Sequence, residues 1–385
     1  MIYLDYNSTT PLDEQVVKVM SKVMVSNWAN PSSDSELGRQ ARAVIDKSRQ
    51  QVANMLGAED EEIIFTSGGT EASNMIIRST VDEFHQLGVK PHVITTTVEH
   101  DATRALLQHL KDKGEIDLTH VGLNKSGTVS SCKILEAIID RTCLITIMLA
   151  NNETGIIFPV AEIGRELKFI NTRRNTLGKI FLHTDAAQAI GKIPVNVNTL
   201  GVDYMTVVGH KFYGPRIGCV YQRTGCPLKP LVFGGGQEKG LRSGTENTMC
   251  IAGLGEAARI VSENILLYET QQLYIRKYFE KRIQESFLEC EAKVNFIDIK
   301  ERLPNTISLC FIGRSGREVL KRCKLVIAST GAACHANQEK PSGILLQVLT
   351  HEDALGTVRL SIGRETTKDD IEYCVYDFLQ ALKAI

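Results

Sequence analysis

Apolar residues recur at helical spacing between Glu36 and Leu56, at Leu37, Ala41, Val44, Ile45, Val52, Met55 and Leu56, and predict an amphipathic helix. Asp34 or Ser35 is placed to cap its start and Gly57 to end it. Short apolar runs follow at Ile63 to Thr66, Val93 to Val98, Leu144 to Leu149, Ile180 to His183, Tyr204 to Val208 and Ile217 to Tyr221, with helix-period stretches between most of them. Strands that are apolar throughout are buried on both faces, so this alternation predicts an α/β fold with a mostly parallel sheet covered by helices. In such sheets ligands bind in the crevice outside the strand C-terminal ends. Polar segments stand there: SGGTE after Phe65, EHD after Val98, NNETG after Ala150, DAAQ after the run ending at His183, and GHK after Val208. Five loops are expected to converge on one site.

From about Gly253 to Cys290 the pattern becomes one long helical stretch, through Ile260, Ile265, Leu266, Leu273, Tyr278 and Ile283, and reads as a connector into a second domain. Beyond it, short strands at Thr306 to Phe311, Val326 to Ser329 and Val358 to Ile362 and a terminal helix from Lys368 predict a small α+β domain. A chain of 385 residues exceeds what one compact core usually covers, which agrees with a large and a smaller domain.

Charge and composition narrow the function classes. With 44 Lys and Arg against 45 Asp and Glu, the formal net charge is -1, which gives no electrostatic footprint for nucleic acid or an anionic membrane. The longest strongly apolar stretch, Leu144 to Ala150, is far short of the ~20 residues that span a bilayer, and MIYLDYNSTTP has neither the pattern of a signal peptide nor that of a presequence. A cytosolic protein acting on a small molecule is expected. The 10 cysteines form no CxxC pair, and Cys219 and Cys310 sit inside apolar runs as buried thiols do, so disulfide and metal-finger readings are weak.

Thr66-Ser67-Gly68-Gly69-Thr70-Glu71 follows a strand and opens a helix, which brings backbone N–H groups and the Thr70 hydroxyl to a helix N-terminus, a seat for phosphate. A Gly-Gly turn also serves as a plain tight connection, so this run does not decide alone. Asp185 closes one strand and Lys211, in Gly209-His210-Lys211, closes another, so a carboxylate and an amine can meet over one ligand. Pyridoxal 5'-phosphate (PLP) needs those groups: a lysine for a Schiff base, an aspartate to keep the pyridine nitrogen protonated as an electron sink, and a phosphate anchor. Taken singly, the lysine is equally explained by solvation and the aspartate by turn capping. Cys334 follows a short strand and a Thr-Gly-Ala-Ala turn and precedes the polar stretch His335 to Lys340. That context suits a reactive thiol on a catalytic loop, whereas most cysteines read as core. His335 beside it would favour the thiolate.

Together YLDYNSTTP, FTSGGTEASN, VEHDA, NNETG, HTDAAQ, GHKFYGP, GGGQEKGLRSGTENT, STGAACH and VRLSIGR resemble, in order and over nearly the whole chain, the class V aminotransferase family in its cysteine desulfurase and selenocysteine lyase branch. The resemblance implies a PLP-dependent fold type I enzyme, with residues 15–260 as the large PLP-binding domain and 1–14 with 261–385 as the small domain carrying the cysteine loop. It makes Lys211 the Schiff-base lysine and proton shuttle, Asp185 the partner of the pyridine nitrogen, and Gln188 and Asn152 contacts near the phenolic oxygen. His100 would stack on the ring, and Gly69, Thr70 and His210 would bind the phosphate. Thr245 would reach that phosphate from a second subunit, which implies a homodimer, and Arg359 would clamp the substrate carboxylate through its planar fork. Cys334 would meet the leaving sulfur or selenium. One departure is Val208, where many desulfurases carry a serine that can donate to phosphate.

The residues beside the motifs resemble the selenocysteine lyase side of the branch, and Asp101 is the sharpest of them, since desulfurases commonly have lysine after the stacking histidine. A carboxylate near the substrate disfavours the thiolate of cysteine, whereas a selenol is already ionised at neutral pH. Asp101 equally suits a cap for a helix over Ala102 to His109. The alternatives are a desulfurase that passes Cys334 persulfide sulfur to an acceptor protein, as a lyase would pass selenium, and a silent relative acting as a scaffold, against which intact Lys211, Asp185 and His100 argue.

Overall fold

The computed structural model describes residues 1–174, 177–331 and 340–383. Its centre is a seven-stranded sheet of β2 (Ile63–Thr66), β3 (His92–Thr96), β4 (Asp117–Val121), β5 (Thr142–Thr146), β6 (Phe181–Asp185), β7 (Tyr204–Val208) and β8 (Gly218–Gln222), in the order β2-β8-β7-β6-β5-β3-β4. All neighbours are parallel except at β8, which runs against both β2 and β7. Alternate residues of one strand feed two different apolar clusters: Ile145, Leu182 and Met205 join one, and Leu144, Phe181 and Tyr204 the other. The two-residue strand period thus buries both faces, as the unbroken apolar runs require.

The helix Glu36–Leu56 has the expected bounds. Of the two candidate caps, Ser35 takes the role, its side chain accepting from the Gly38 N–H, and Gly57 closes the helix at φ 67°, a left-handed conformation that glycine adopts without strain. The long helix begins earlier than its apolar period suggests, at Thr248, where Asn247 caps it, and ends at Ser286. Its 39 residues span about 58 Å at 1.5 Å each. Ile251, Leu254 and Ala258 near its start pack into the main core, whereas Phe279 and Ile283 near its end belong to a separate cluster with Ile307, Leu309, Leu360 and Phe378.

That second cluster lies on an antiparallel sheet of β9 (Ala292–Asn295), β10 (Thr306–Phe311) and β12 (Thr357–Ser361), in the order β12-β10-β9, covered by the terminal helix Lys368–Lys383. The chain's first strand, β1 (Ile2–Tyr3), pairs in parallel with β11 (Val326–Ile327), and Asp5 bridges to Ser361 beside it. The N-terminal strap then crosses to the main sheet, where the Thr10 N–H donates to the His210 carbonyl at 3.0 Å. Among the described residues no helix is long and apolar enough to cross a membrane.

Candidate active site

All five polar loops line one cavity of about 290 Å³ at the C-terminal edge of the central sheet. The helix Gly69–His85 starts on it, with Gly68 supplying no side-chain cap, so first-turn N–H groups remain for a ligand. A Cβ at Gly69 would lie 2.5 Å from Val208 Cγ2, so only glycine lets this turn close on β7. Val208, the departure from the desulfurase pattern, is the residue that packs there.

Lys211 leaves the end of β7 through a one-turn 3-10 helix, Gly209–Lys211. Two residues later Tyr213 has φ 67°, an uncommon conformation for a bulky residue. The Thr10 hydroxyl holds it by accepting from the Tyr213 N–H at 2.7 Å, and its own hydroxyl donates to Glu365 at 3.1 Å. Lys211 Nζ donates to the carbonyls of Asn7 and Ser8 at 2.7 and 2.8 Å. Asp185 ends β6 beside Thr206 of β7 and accepts from the Ala187 N–H at 2.9 Å. His210 meets the Thr9 hydroxyl at 3.1 Å through Nδ1, and burial, reinforced by Lys211 and Arg216, pushes its imidazole down to about 4, so it is neutral.

His100 rather than Asp101 caps the following helix, which runs Asp101–Asp112; the Ala102 N–H donates to His100 Nδ1 at 3.1 Å and fixes the ring over the cavity. Asp101 is the first helical residue and pairs with Arg104 at 2.6 Å. It lines an adjoining cavity of about 310 Å³ that shares His100 and Asn152 with the first and reaches Gly331 and Lys340. Cys334 and His335 lie outside the described residues. Thr245 lines neither cavity; it stands in a separate hollow with Thr66 and Ser67, behind the Gly68 turn.

Arg359 of β12 is 3% exposed. Its Nη1 donates to the Asn152 carbonyl at 3.0 Å, and its Nη2 to Asp5 at 2.5 Å and the Ser8 hydroxyl at 2.7 Å. Its Nε has no partner among the described residues, a buried donor left for an incoming acceptor on a side chain that lines the cavity.

Several residues that the sequence reading did not single out complete the site. Asn7, 1% exposed, donates from its backbone to the Ser361 hydroxyl at 2.9 Å and from its amide to Thr306 at 2.9 Å, and accepts from Asn305 at 3.0 Å. Its carbonyl receives both Lys211 and Gln188, the latter at 3.0 Å. The one available signal was the density of hydrogen-bonding residues in YLDYNSTTP. Glu99 is buried against the Thr96 hydroxyl at 2.6 Å and the Met148 N–H at 3.0 Å; burial pushes its carboxyl up to about 8 against those bonds, and Asp185 adds to the rise. Beneath the sheet end, burial drives His183 down to about 3, between the Thr146 and Thr206 hydroxyls.

A phosphate, a planar ring with an aldehyde, and an amino-acid carboxylate match this donor set: open helix N–H groups, a strand-end amine and carboxylate, and an unpartnered guanidinium N–H. Comparison with known proteins agrees. The class-V aminotransferase family model matches residues 2–374. Selenocysteine lyase of Rattus norvegicus is 45% identical over 410 aligned positions, covering 100% of this chain and 95% of the relative. The cysteine desulfurase IscS of Dictyoglomus turgidum is 37% identical, covering 97% and 92%. A solved NifS-like protein superposes with a TM-score of 0.90 at 30% identity over 100% of both chains. The chain is therefore a member of the class-V aminotransferase family, an enzyme of its selenocysteine lyase and cysteine desulfurase branch, whose members depend on PLP.

Proposed function

We propose that this chain is a PLP-dependent selenocysteine lyase, which converts L-selenocysteine to L-alanine with release of selenium. The observation that carries the reading is the meeting of Lys211, Asp185, His100 and Arg359 in one cavity. When bound there, PLP supplies the electron sink that lets a proton leave the substrate Cα.

The protein groups do the remaining work. The first-turn N–H groups of Gly69 and Thr70, with neutral His210, would hold the phosphate, and Thr245 of a second subunit would complete that seat in a homodimer. Asp185 would keep the proton on the pyridine nitrogen, His100 would cover the ring, and Gln188 and Asn152 would contact the phenolic oxygen. Lys211 would hold the cofactor through its aldehyde and would be the base that moves the proton at the substrate Cα. Arg359 binds the substrate carboxylate with the N–H that the protein leaves open. Cys334 meets the leaving selenium and hands it to an acceptor.

Two considerations favour selenium over sulfur. The lyase relatives are more similar to this chain than the desulfurases, at 44% against 37% identity. Asp101, beside His100, places a carboxylate where it disfavours a cysteine thiolate, a form of help that a selenol does not need. A desulfurase is the second reading, favoured by the 37% identity across 97% of this chain. The test is alanine release by PLP-loaded protein from selenocysteine and from cysteine at equal concentration under reducing conditions. A strong preference for selenocysteine supports the lyase; comparable or faster turnover of cysteine makes it a desulfurase; no alanine from either overturns both.

A further inference from the structure

Lys192 has no part in the chemistry above, yet it is a lysine buried beside the cavity, 4% exposed. It lies four residues beyond Gln188 in a run of turns, and its Nζ donates to Gln188 Oε1 at 2.7 Å. The charges that act on it are those of Lys211 and Arg359, both positive. They and burial, the largest influence, push its amine well below the ordinary lysine range. A buried amine without an anion costs stability, so the contact it makes calls for an explanation.

The hydrogen bonds around Gln188 supply one. A glutamine side chain has an accepting oxygen at one corner and a donating nitrogen at the other, and a half-turn exchanges them. Here Oε1 faces the Lys192 amine, while Nε2 donates one hydrogen to the Asn7 carbonyl at 3.0 Å. The half-turn would set oxygen against the Asn7 carbonyl and nitrogen against the Lys192 amine. The second Nε2 hydrogen is the one left over, on a side chain that lines the cavity.

We propose that Lys192 is a positioning residue: it locks the Gln188 amide so that an N–H, and not the carbonyl, faces the phenolic oxygen of bound PLP, and thereby lowers the proton affinity of the Lys211–cofactor linkage. The proposal rests on the PLP reading above. The lock is strongest with the amine protonated, since an ammonium only donates, whereas a neutral amine also carries a lone pair that accepts an N–H. Without Lys192, the acceptor corner of Gln188 loses its buried partner, and only the Asn7 carbonyl still opposes the half-turn that would place an oxygen against an oxygen of the cofactor.

The test is a visible-absorbance pH titration of the PLP-loaded protein for wild type, Lys192→Met, Gln188→Leu and the double variant, with thermal unfolding of each as the control for packing. Both single variants are expected to raise the titration midpoint by about one pH unit, with the double variant moving no further, because both remove the same donor. PLP affinity should fall in parallel. An unmoved midpoint in Lys192→Met beside a raised one in Gln188→Leu overturns the proposal, as do shifts that add in the double variant. If Lys192→Met does not fold, Lys192→Gln, which keeps a donor, carries the test: a midpoint between wild type and Gln188→Leu supports the lock, and one equal to or beyond Gln188→Leu overturns it. A wild-type protein with no visible band on PLP loading overturns the cofactor reading itself, a result distinct from an unmoved variant.

Discussion

On one side of the cavity each side chain follows its own strand within a few residues: His100 comes after β3, Asn152 after β5, Asp185 and Gln188 at the end of β6, and His210 and Lys211 after β7. On the other side Asp5, Asn7 and Ser8 come from the N-terminal strap and Arg359 from β12, and the Asp5–Arg359 contact joins residues 354 positions apart. The two sides also treat charge differently. Strand ends packed between helices exclude water, so several polar groups there are held neutral: His183 is driven to about 3, His210 to about 4, and Glu99 up to about 8. On the strap side charge is met by charge, with the Arg359 guanidinium paired with Asp5 and hydrogen-bonded to Ser8 and Asn152. The sheet side thus suits a cofactor, which needs shape and fixed dipoles, and the strap side suits the carboxylate of a substrate that comes and goes.

The comparison breaks first at Lys211. Lys211→Ala is expected to lower alanine formation by roughly 10³-fold or more, since it removes both attachment and proton transfer; near-normal turnover would discard the sheet side as the chemical wall. Next, Arg359→Ala should reduce kcat/KM by roughly 10²-fold and lower stability by about 3 kcal/mol, because it leaves Asp5 largely buried without its cation. Steady-state kinetics and urea denaturation read the two losses separately, and a loss of stability alone would make Arg359 a strut and not a clamp. Asn7→Ala should cost about 2 kcal/mol in urea denaturation, because Thr306 and Asn305 each lose a buried partner. A cost near zero would mean that the strap is held by its backbone pairing alone.

A pH measurement sharpens the claim of neutral polar groups. The carboxyl of Glu99 titrates near 8 in the folded chain against 4.5 ordinarily, so between those values the folded state binds the extra proton. Its contribution to stability is complete below 4.5 and is lost as pH rises through 8. The stability difference between wild type and Glu99→Gln should therefore drift against wild type from acid to alkaline pH; a pH-independent difference would mean that Glu99 is ionised. The smallest effect is expected at Asp101, whose charge Arg104 offsets at 2.6 Å. Asp101→Lys should shift the ratio of cysteine to selenocysteine turnover toward cysteine by only about three-fold, and an unchanged ratio removes Asp101 from specificity.

The same division explains what the sequence made legible. The five strand-end loops, the helix Glu36–Leu56 and the terminal helix could be placed because their patterns are local. Edge strand β4 was not, since DLTHV is half-exposed and lacks an apolar run. β9, just past the end expected for the long helix at Cys290, went unassigned, because AKVN is too short to show its own period. The reversed direction of β8 leaves no local mark either, as its five residues read like those of a parallel neighbour. Of the strap, only the motif as a whole stood out. That Asn7 joins both sheets, and that Arg359 meets Asp5, follows from chain crossings that no periodicity encodes.

Two lysines, Lys211 and Lys192, stand beside this cavity, and only Lys211 is part of its lining. Borohydride reduction of the PLP-loaded protein converts an imine between amine and aldehyde to a stable secondary amine, and peptide mass mapping then locates it. Attachment of the cofactor to Lys211 predicts the phosphopyridoxyl mass there, with Lys192 unmodified. A label on Lys192, or no label on either, would contradict it.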